Sequence, residues 1–292
     1  MSQHPKRTKD YIGPVTDTRI WDRFDLRTGD VVLSTPPKCG TTWTQAILMM
    51  LLAGKASEGK PVWQNSLWLD CGFRNQEAAK TKLEETPGRR CIKSHTPFDG
   101  IPYRHDVTYI TVYRHPIDVH FSLEKHVANM KSDTLDFLFP GTVDAAFDRF
   151  LTAPATDAGT DDLTLASVLH HYRSFNAWSH LPNVHFFHYS SLKQDIRTQI
   201  LRFSDALGIA ATPDLIEGIA TASSFRSMRK VAEQSEHRNN HPVFKKGEQF
   251  FESATSNKWE TRLSPAQLSA YERAFSAMAQ GSEKKWLETA TL

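Results

Sequence analysis

Cysteine is scarce: of 292 residues only Cys39, Cys71 and Cys91 are thiols. An odd number cannot all pair, and the spacing matches no zinc motif, so the reading is reduced thiols inside a cell. No apolar run is long. The most apolar stretch, residues 46–53, falls far short of the roughly 20 residues that a membrane span needs. Residues 1–10 are polar, carry Lys6, Arg7 and Lys9 and have no apolar stretch behind them, which argues against a secretory signal. These absences together point to a cytoplasmic protein without membrane insertion. Excess charge is also lacking: 35 Lys plus Arg face 33 Asp plus Glu, for a net +2. That excludes the uniform positive field on which non-specific nucleic-acid binding depends. Glycine and proline do not gather into a linker, and no repeat or low-complexity tract is present. One domain over residues 1–292 is expected, with 1–20 as an N-terminal extension. What is plentiful is apolar and aromatic side chain, 39% and 11%, too much for a disordered chain.

Residues 30–34 have a β-branched, apolar centre and read as a buried strand stopped by Pro36 and Pro37. Residues 41–53 then read as a helix with Gly54 as its C-terminal cap. Residues 107–113 are the clearest strand, and Pro116 opens a helix through about Asn129. Leu165, Val168, Leu169, Tyr172 and Phe175 recur at helical spacing behind Asp161 and Asp162 as capping candidates. A third strand follows at 184–189. A helix carrying Ile196, Ile200, Phe203 and Leu207 is closed by Gly208. Another begins with the capping box Ser264-Pro265-Ala266-Gln267 and continues through Leu268, Tyr271, Phe275 and Met278. Strands alternating with helices imply an α/β fold, with a mainly parallel sheet flanked by helices on both faces. Residues 233–258 are aperiodic and polar, and their length suits a functional flap over a ligand.

The most informative segment is Thr-Pro-Pro-Lys-Cys-Gly-Thr-Thr-Trp at 35–43. It lies between a strand and a helix, where unpaired backbone N–H groups and a partial positive charge collect. A lysine, a glycine and two hydroxyls beside that terminus make an anion cradle. It is not the ordinary nucleotide-triphosphatase loop, because Lys38 precedes Gly40 and Thr41 stands where that motif needs lysine. A second candidate lies at the end of the clearest strand. Arg114, followed by Pro116 and Asp118 and then by Ser122 on the next helix, suits a dianionic phosphate; the competing reading pairs Arg114 with Asp118. Ligands in such sheets sit beyond the carboxyl ends of the strands.

The first loop closely resembles the donor-binding loop of the cytosolic sulfotransferases, commonly Tyr/Phe-Pro-Lys-Ser-Gly-Thr-Thr-Trp. The resemblance runs from about Phe24 to Met278. It implies a P-loop-like fold and 3′-phosphoadenosine 5′-phosphosulfate (PAPS) as co-substrate, with PAP as product and no metal. By that resemblance Lys38 contacts the bridging oxygen and 5′-phosphate, and Cys39, Gly40, Thr41 and Thr42 cradle the phosphate. Trp43 packs on adenine or, alternatively, in the core. Arg114 and Ser122 match the 3′-phosphate signature. Ile92-Lys93-Ser94-His95-Thr96-Pro97 resembles the family's Lys-Thr-His-x-Pro segment, making His95 the implied base and Lys93 a charge stabiliser beside Lys38. Histidine suits the task because its ordinary pKa lies nearest neutrality. Tyr189, Ser223, Phe225 and Met228 match the adenine-contacting positions, with Phe225 as core the competing reading. Lys245, Lys246 and Gly247 resemble the run that closes over the 3′-phosphate, although a solvated charge run reads similarly.

The sequence also departs from the family pattern. Cys39 replaces serine, and at a helix N-terminus its thiol pKa is expected to fall, making oxidation there a block to donor binding. Lys245 replaces arginine. The family's C-terminal dimerisation motif is absent, which leaves oligomeric state open. The expected reaction is sulfuryl transfer to a hydroxyl of a small apolar or aromatic acceptor. Trp21, Phe73, Phe137 and Phe139 are candidate pocket residues, or core. The rival readings are a P-loop kinase or nucleotide triphosphatase, and a PAP- or PAPS-binding module without catalysis.

Overall fold

The structure, a computed structural model, describes residues 4–57, 61–234, 243–245 and 256–291. Among these residues four parallel strands form the sheet: β1 (Val31–Ser34), β2 (Cys91–Ser94), β3 (Thr108–Tyr113) and β4 (Val184–His188), in the order β2-β1-β3-β4. Val31 lies beside Cys91 on one side and Thr108 on the other, and Tyr113 lies beside His188. Helices α1 (Thr41–Ala53), α2 (Gln76–Glu85), α3 (Pro116–Ala128), α4 (Val143–Thr152) and α5 (Leu165–Asn176) lie between or after the first three strands. After β4 come α6 (Tyr189–Gln194), α7 (Ile196–Ala206), α8 (Pro213–Ala222), α9 (Phe225–Gln234), α10 (Pro265–Met278) and α11 (Gly281–Thr289).

Strand side chains alternate between faces, and here both faces are covered. Val31 and Leu33 of β1, with Ile110 and Val112 of β3, pack against apolar residues of α1, α7 and α8. Val32 and Tyr109 point the other way, into a cluster with Ile92, Phe98 and Phe175. A third cluster joins Tyr113 to α3, α4, α5, α10 and α11. All four residues of β1 are buried, which explains why this strand reads as a continuous apolar run rather than an alternating one.

The topology positions the site. From β1 the chain crosses through α1 to β2 on one flank, then returns to β3 on the other. The reversal opens a crevice at the carboxyl ends of β1 and β3. Because every strand runs the same way, the turns after all four open at that one edge.

Two expectations are corrected. The cap of α5 is Thr164, whose side chain accepts from Ser167 N–H while Ser167 returns a bond to the Thr164 N–H. Asp161 instead accepts the backbone N–H groups of Val15 and Thr16, at 2.9 and 2.6 Å, and the Thr16 hydroxyl. The irregular stretch begins later than residue 233, because α9 continues to Gln234. Much of 233–258 lies outside the described residues. Residues 243–245 within it are tied to the end of α3 by Lys131 N–H to Val243 O and Lys245 N–H to Asn129 O. Within residues 1–20, Tyr11, Val15 and Ile20 are buried, and Tyr11 Oη bonds Asp99 and His170.

Candidate active site

The turn after β1 needs an unusual backbone. Lys38 and Gly40 both adopt positive φ, 65° and 98°. At Gly40 a Cβ would also stand 2.9 Å from Tyr189 Cδ2. Gly40 is the N-cap of α1 and offers no side-chain cap. The first-turn N–H groups of α1 are therefore left for a ligand, and they carry the positive end of the helix dipole. The Thr35 and Thr41 hydroxyls lie 2.7 Å apart behind the turn. Lys38 Nζ lies 3.2 Å from His126 Nδ1 on α3. Burial, followed by the nearby Arg114 and Lys93 charges, pushes the Lys38 amine down to about 7.

The turn after β3 brings Arg114 against this loop. Its Nη1 reaches the Lys38 carbonyl at 3.4 Å, and its guanidinium lies 4.5 Å over the Tyr189 ring. Its Nε also lies 3.5 Å from Asp118 Oδ2. The ion-pair reading of Arg114 is present, and the paired side chain also lines the cavity. Ser122 lines the same wall from the second turn of α3. Two turns that are 76 residues apart in sequence meet here because β1 and β3 are paired neighbours.

The turn after β2 supplies His95. Its Nδ1 lies 2.7 Å from the Thr35 carbonyl. A carbonyl only accepts, so Nδ1 carries the proton and Nε2 keeps its lone pair. Burial, then the Lys93 charge, holds the imidazole well below its ordinary pKa and therefore neutral. Trp68 forms the adjoining wall. The His95 ring meets its indole edge-on at 4.8 Å, and Lys93 Nζ lies 3.9 Å over the indole ring. Burial lowers the Lys93 amine to about 8.

A cavity of about 1040 Å³ joins these turns. Lys38, Gly40, Thr41, Thr42, Trp43, Lys93, His95, Arg114, Ser122, Tyr189, Ser223, Phe225 and Met228 all line it. Within the lining Trp43 and Tyr189 meet edge-on at 5.7 Å. Among the described residues the buried Trp43 Nε1 and Ser223 Oγ have no hydrogen-bond partner, which is unusual for buried polar atoms. Trp68, Phe73, Leu123, Met130, Leu135 and Phe244 add apolar surface to the lining.

Several expected residues lie elsewhere. Cys39 is fully buried in the cluster around Tyr113 and Ile117 and does not line the cavity. Its thiol is pushed up to about 12 by burial, against the lowering influence of Arg114. The expected acidic, reactive thiol is corrected: desolvation outweighs the helix terminus. Lys245 Nζ donates to the Ala128 carbonyl at 3.0 Å at the end of α3. Lys246 and Gly247 lie outside the described residues. Of the four aromatic acceptor-pocket candidates only Phe73 lines the cavity. Trp21 is core, Phe137 is exposed and Phe139 packs on a core cluster. Sequence reasoning missed Trp68, His126 and Thr160, which line the cavity but sit in no recognisable motif. The Trp68 backbone bridges to Lys93, a pairing that only the folded chain reveals.

A family model described as the sulfotransferase domain matches residues 28–285. The glycolipid sulfotransferases of Mycobacterium bovis and Mycobacterium tuberculosis are each 29% identical over 314 residues, covering 98% of this chain and 96% of the relative. Sulfotransferase 6B1 of Mus musculus is 26% identical over 234 residues, covering 79% of this chain and 72% of that one. Among solved structures, mouse sulfotransferase SULT7A1 complexed with PAP matches with a TM-score of 0.69 at 20% identity, covering 91% of this chain and 90% of its own. Retinol dehydratase in complex with retinol and PAP gives 0.69 at 18% identity, covering 88% and 83%. At such identities the structural likeness is one of fold. The family match takes in the whole sheet and the turns that carry Lys38, His95 and Arg114, and the chain belongs to the sulfotransferase family.

Proposed function

We propose that this sulfotransferase moves the sulfuryl group of PAPS to a hydroxyl of a small, apolar or aromatic acceptor, with His95 as general base. The observation that carries the reading is the convergence of Lys38, His95 and Arg114 on one cavity, with His95 Nδ1 engaged by a carbonyl and Nε2 left as a base. The uncapped terminus of α1 and Lys38 hold the 5′-phosphate. Arg114 and Ser122 hold the 3′-phosphate, while Trp43, Tyr189, Ser223, Phe225 and Met228 surround adenine. Lys245, Lys246 and Gly247 belong to the same proposal as a clamp. The residues fit the nucleotide because Trp43 Nε1 and Ser223 Oγ, of residues lining the cavity, lack partners among the described residues and would bond to a polar ring.

In the reaction the acceptor oxygen bonds to sulfur as the bond from sulfur to the 5′-phosphate oxygen breaks. The acceptor's proton passes to His95 Nε2. Lys38 and Lys93 stabilise the negative charge that moves onto the departing phosphate. Donor binding brings anions to both lysines, which favours their charged forms. The apolar lining from Trp68 to Phe244 faces the acceptor. The glycolipid acceptors named for the mycobacterial relatives make amphiphilic hydroxyl compounds part of the same class. One domain and a cytoplasmic setting complete the proposal; among the described residues no helix is long and apolar enough to cross a membrane.

A PAPS-dependent transfer assay over phenols, sterols, alcohols and glycolipids tests it. His95→Ala should lower kcat by roughly 10²–10⁴-fold, and Lys38→Ala should weaken both donor affinity and turnover. Full turnover in both variants would sink the mechanism. Magnesium-dependent ATP turnover would favour a kinase, and PAP binding without transfer to any acceptor would favour a binding module.

A further inference from the structure

Asp70 is fully buried and absent from the cavity lining, yet it bonds to residues on three sides of the reacting groups. Its Oδ2 accepts the Ser94 hydroxyl at 2.6 Å and the Thr96 hydroxyl at 2.8 Å. Those two residues immediately precede and follow His95 in sequence. Its Oδ1 accepts Trp68 Nε1 at 2.8 Å, and this indole carries the Lys93 amine on its face and the His95 ring at its edge. Trp21 Nε1 adds a fourth bond at 3.0 Å. Indole N–H groups only donate, so the Trp68 and Trp21 bonds both run toward Asp70. Two obligate donors and two hydroxyls converge on its oxygens, a set that suits a carboxylate. Burial holds this carboxyl above its ordinary pKa, and the four bonds offset that rise only in part.

We propose that Asp70 is the positioning residue for both His95 and Lys93, fixing the imidazole through Ser94 and Thr96 and the amine through Trp68. The proposal rests on the sulfotransferase reading for its catalytic consequence but not for its geometry. An ordinary buried polar knot would stabilise the fold alone. Here three of the four bonds lead to residues that flank or touch the two reacting side chains, so loosening the knot frees His95 to turn away from the Thr35 carbonyl. The Lys93 amine loses its fixed platform at the same time.

The test uses Asp70→Asn together with Ser94→Ala/Thr96→Val, which keeps the carboxylate and removes two of its bonds. Nitrogen-15 spectra of histidine-labelled protein report the His95 tautomer, assigned by the signals lost in His95→Gln. Wild type should show a single neutral form protonated at Nδ1, and both variants should show shifts averaged between tautomers. With any acceptor that wild type sulfates, kcat should fall at least about tenfold while PAP affinity stays within about twofold. An unchanged His95 spectrum with unchanged kcat would overturn the proposal, as would PAP affinity falling in step with kcat. If Asp70→Asn does not fold, the double variant decides by the same readouts. If wild type sulfates no acceptor, the sulfotransferase mechanism fails, and the tautomer spectra still decide the role of Asp70.

Discussion

Gly40 has two separate reasons to be glycine. Its φ of 98° lies in the left-handed region, which costs other residues roughly 1–2 kcal/mol. A Cβ there would also press on the Tyr189 ring at 2.9 Å, and that ring carries the Arg114 guanidinium. Gly40→Ala should therefore lower stability by roughly 1–2 kcal/mol and weaken PAP binding as the turn shifts to relieve the strain. Calorimetric titration checks this, and unchanged affinity would mean that the turn adapts. Cys39, one residue earlier, behaves in the opposite way from its motif. Its thiol is buried and raised to about 12, so native protein at neutral pH should not react there with a thiol reagent. Cys71 and Cys91 are buried and raised to about 12 as well. All three thiols should titrate only after denaturation, and PAP affinity should survive reagent treatment of the native protein. Rapid labelling of Cys39 in the folded state would contradict the burial.

Helix starts carry much of the local logic. The helices α3, α8 and α10 each place proline in the first turn, where its missing N–H costs nothing. The capping box of α10 is legible in sequence because Ser264 and Gln267 have the expected spacing. That of α5 escapes the same rule because its third residue is Ser167 rather than Glu or Gln. Thr164→Ala should cost about 1 kcal/mol of stability, read from denaturant unfolding, with PAP affinity unchanged. An equal loss in Asp162→Ala would restore the acidic cap that the structure replaces. Strand β2 was not recognisable, being four residues long with Lys93 at its third position. Its partners Val31, Val32 and Leu33 lie some sixty residues away, and no local window contains both.

For the molecule as a whole, charge is nearly balanced at +2, but the cavity gathers Lys38, Lys93, Arg114 and Arg74. Burial, followed by repulsion from Arg114 and Lys93 at Lys38 and from Arg74 at Lys93, lowers Lys38 to about 7 and Lys93 to about 8. At about pH 8 the Lys38 amine of the free protein is mostly neutral, and a bound phosphate favours its ammonium form. PAP binding should then take up protons, and affinity should be fully present below about pH 7 and decline as pH rises above it. Calorimetry in buffers of different ionisation enthalpy measures the uptake. Proton release, or affinity that strengthens with pH, would show that Lys38 is not the responding group.

Residue order by itself determined the strand–turn–helix units, the glycine and lysine of the first turn, the arginine of the second, and the histidine with its lysine neighbour. These are local, because a few consecutive residues set backbone conformation, capping and chemistry. Tertiary structure alone decided which side chains those turns face. It turned Cys39 into the core, laid Trp68 beside Lys93 and His95, and put buried Asp70 behind both. Burial and cross-sheet pairing depend on residues far apart in the chain, and protonation follows burial, so neither the reactivity of Cys39 nor the neutral state of His95 could be read before the strands were in register.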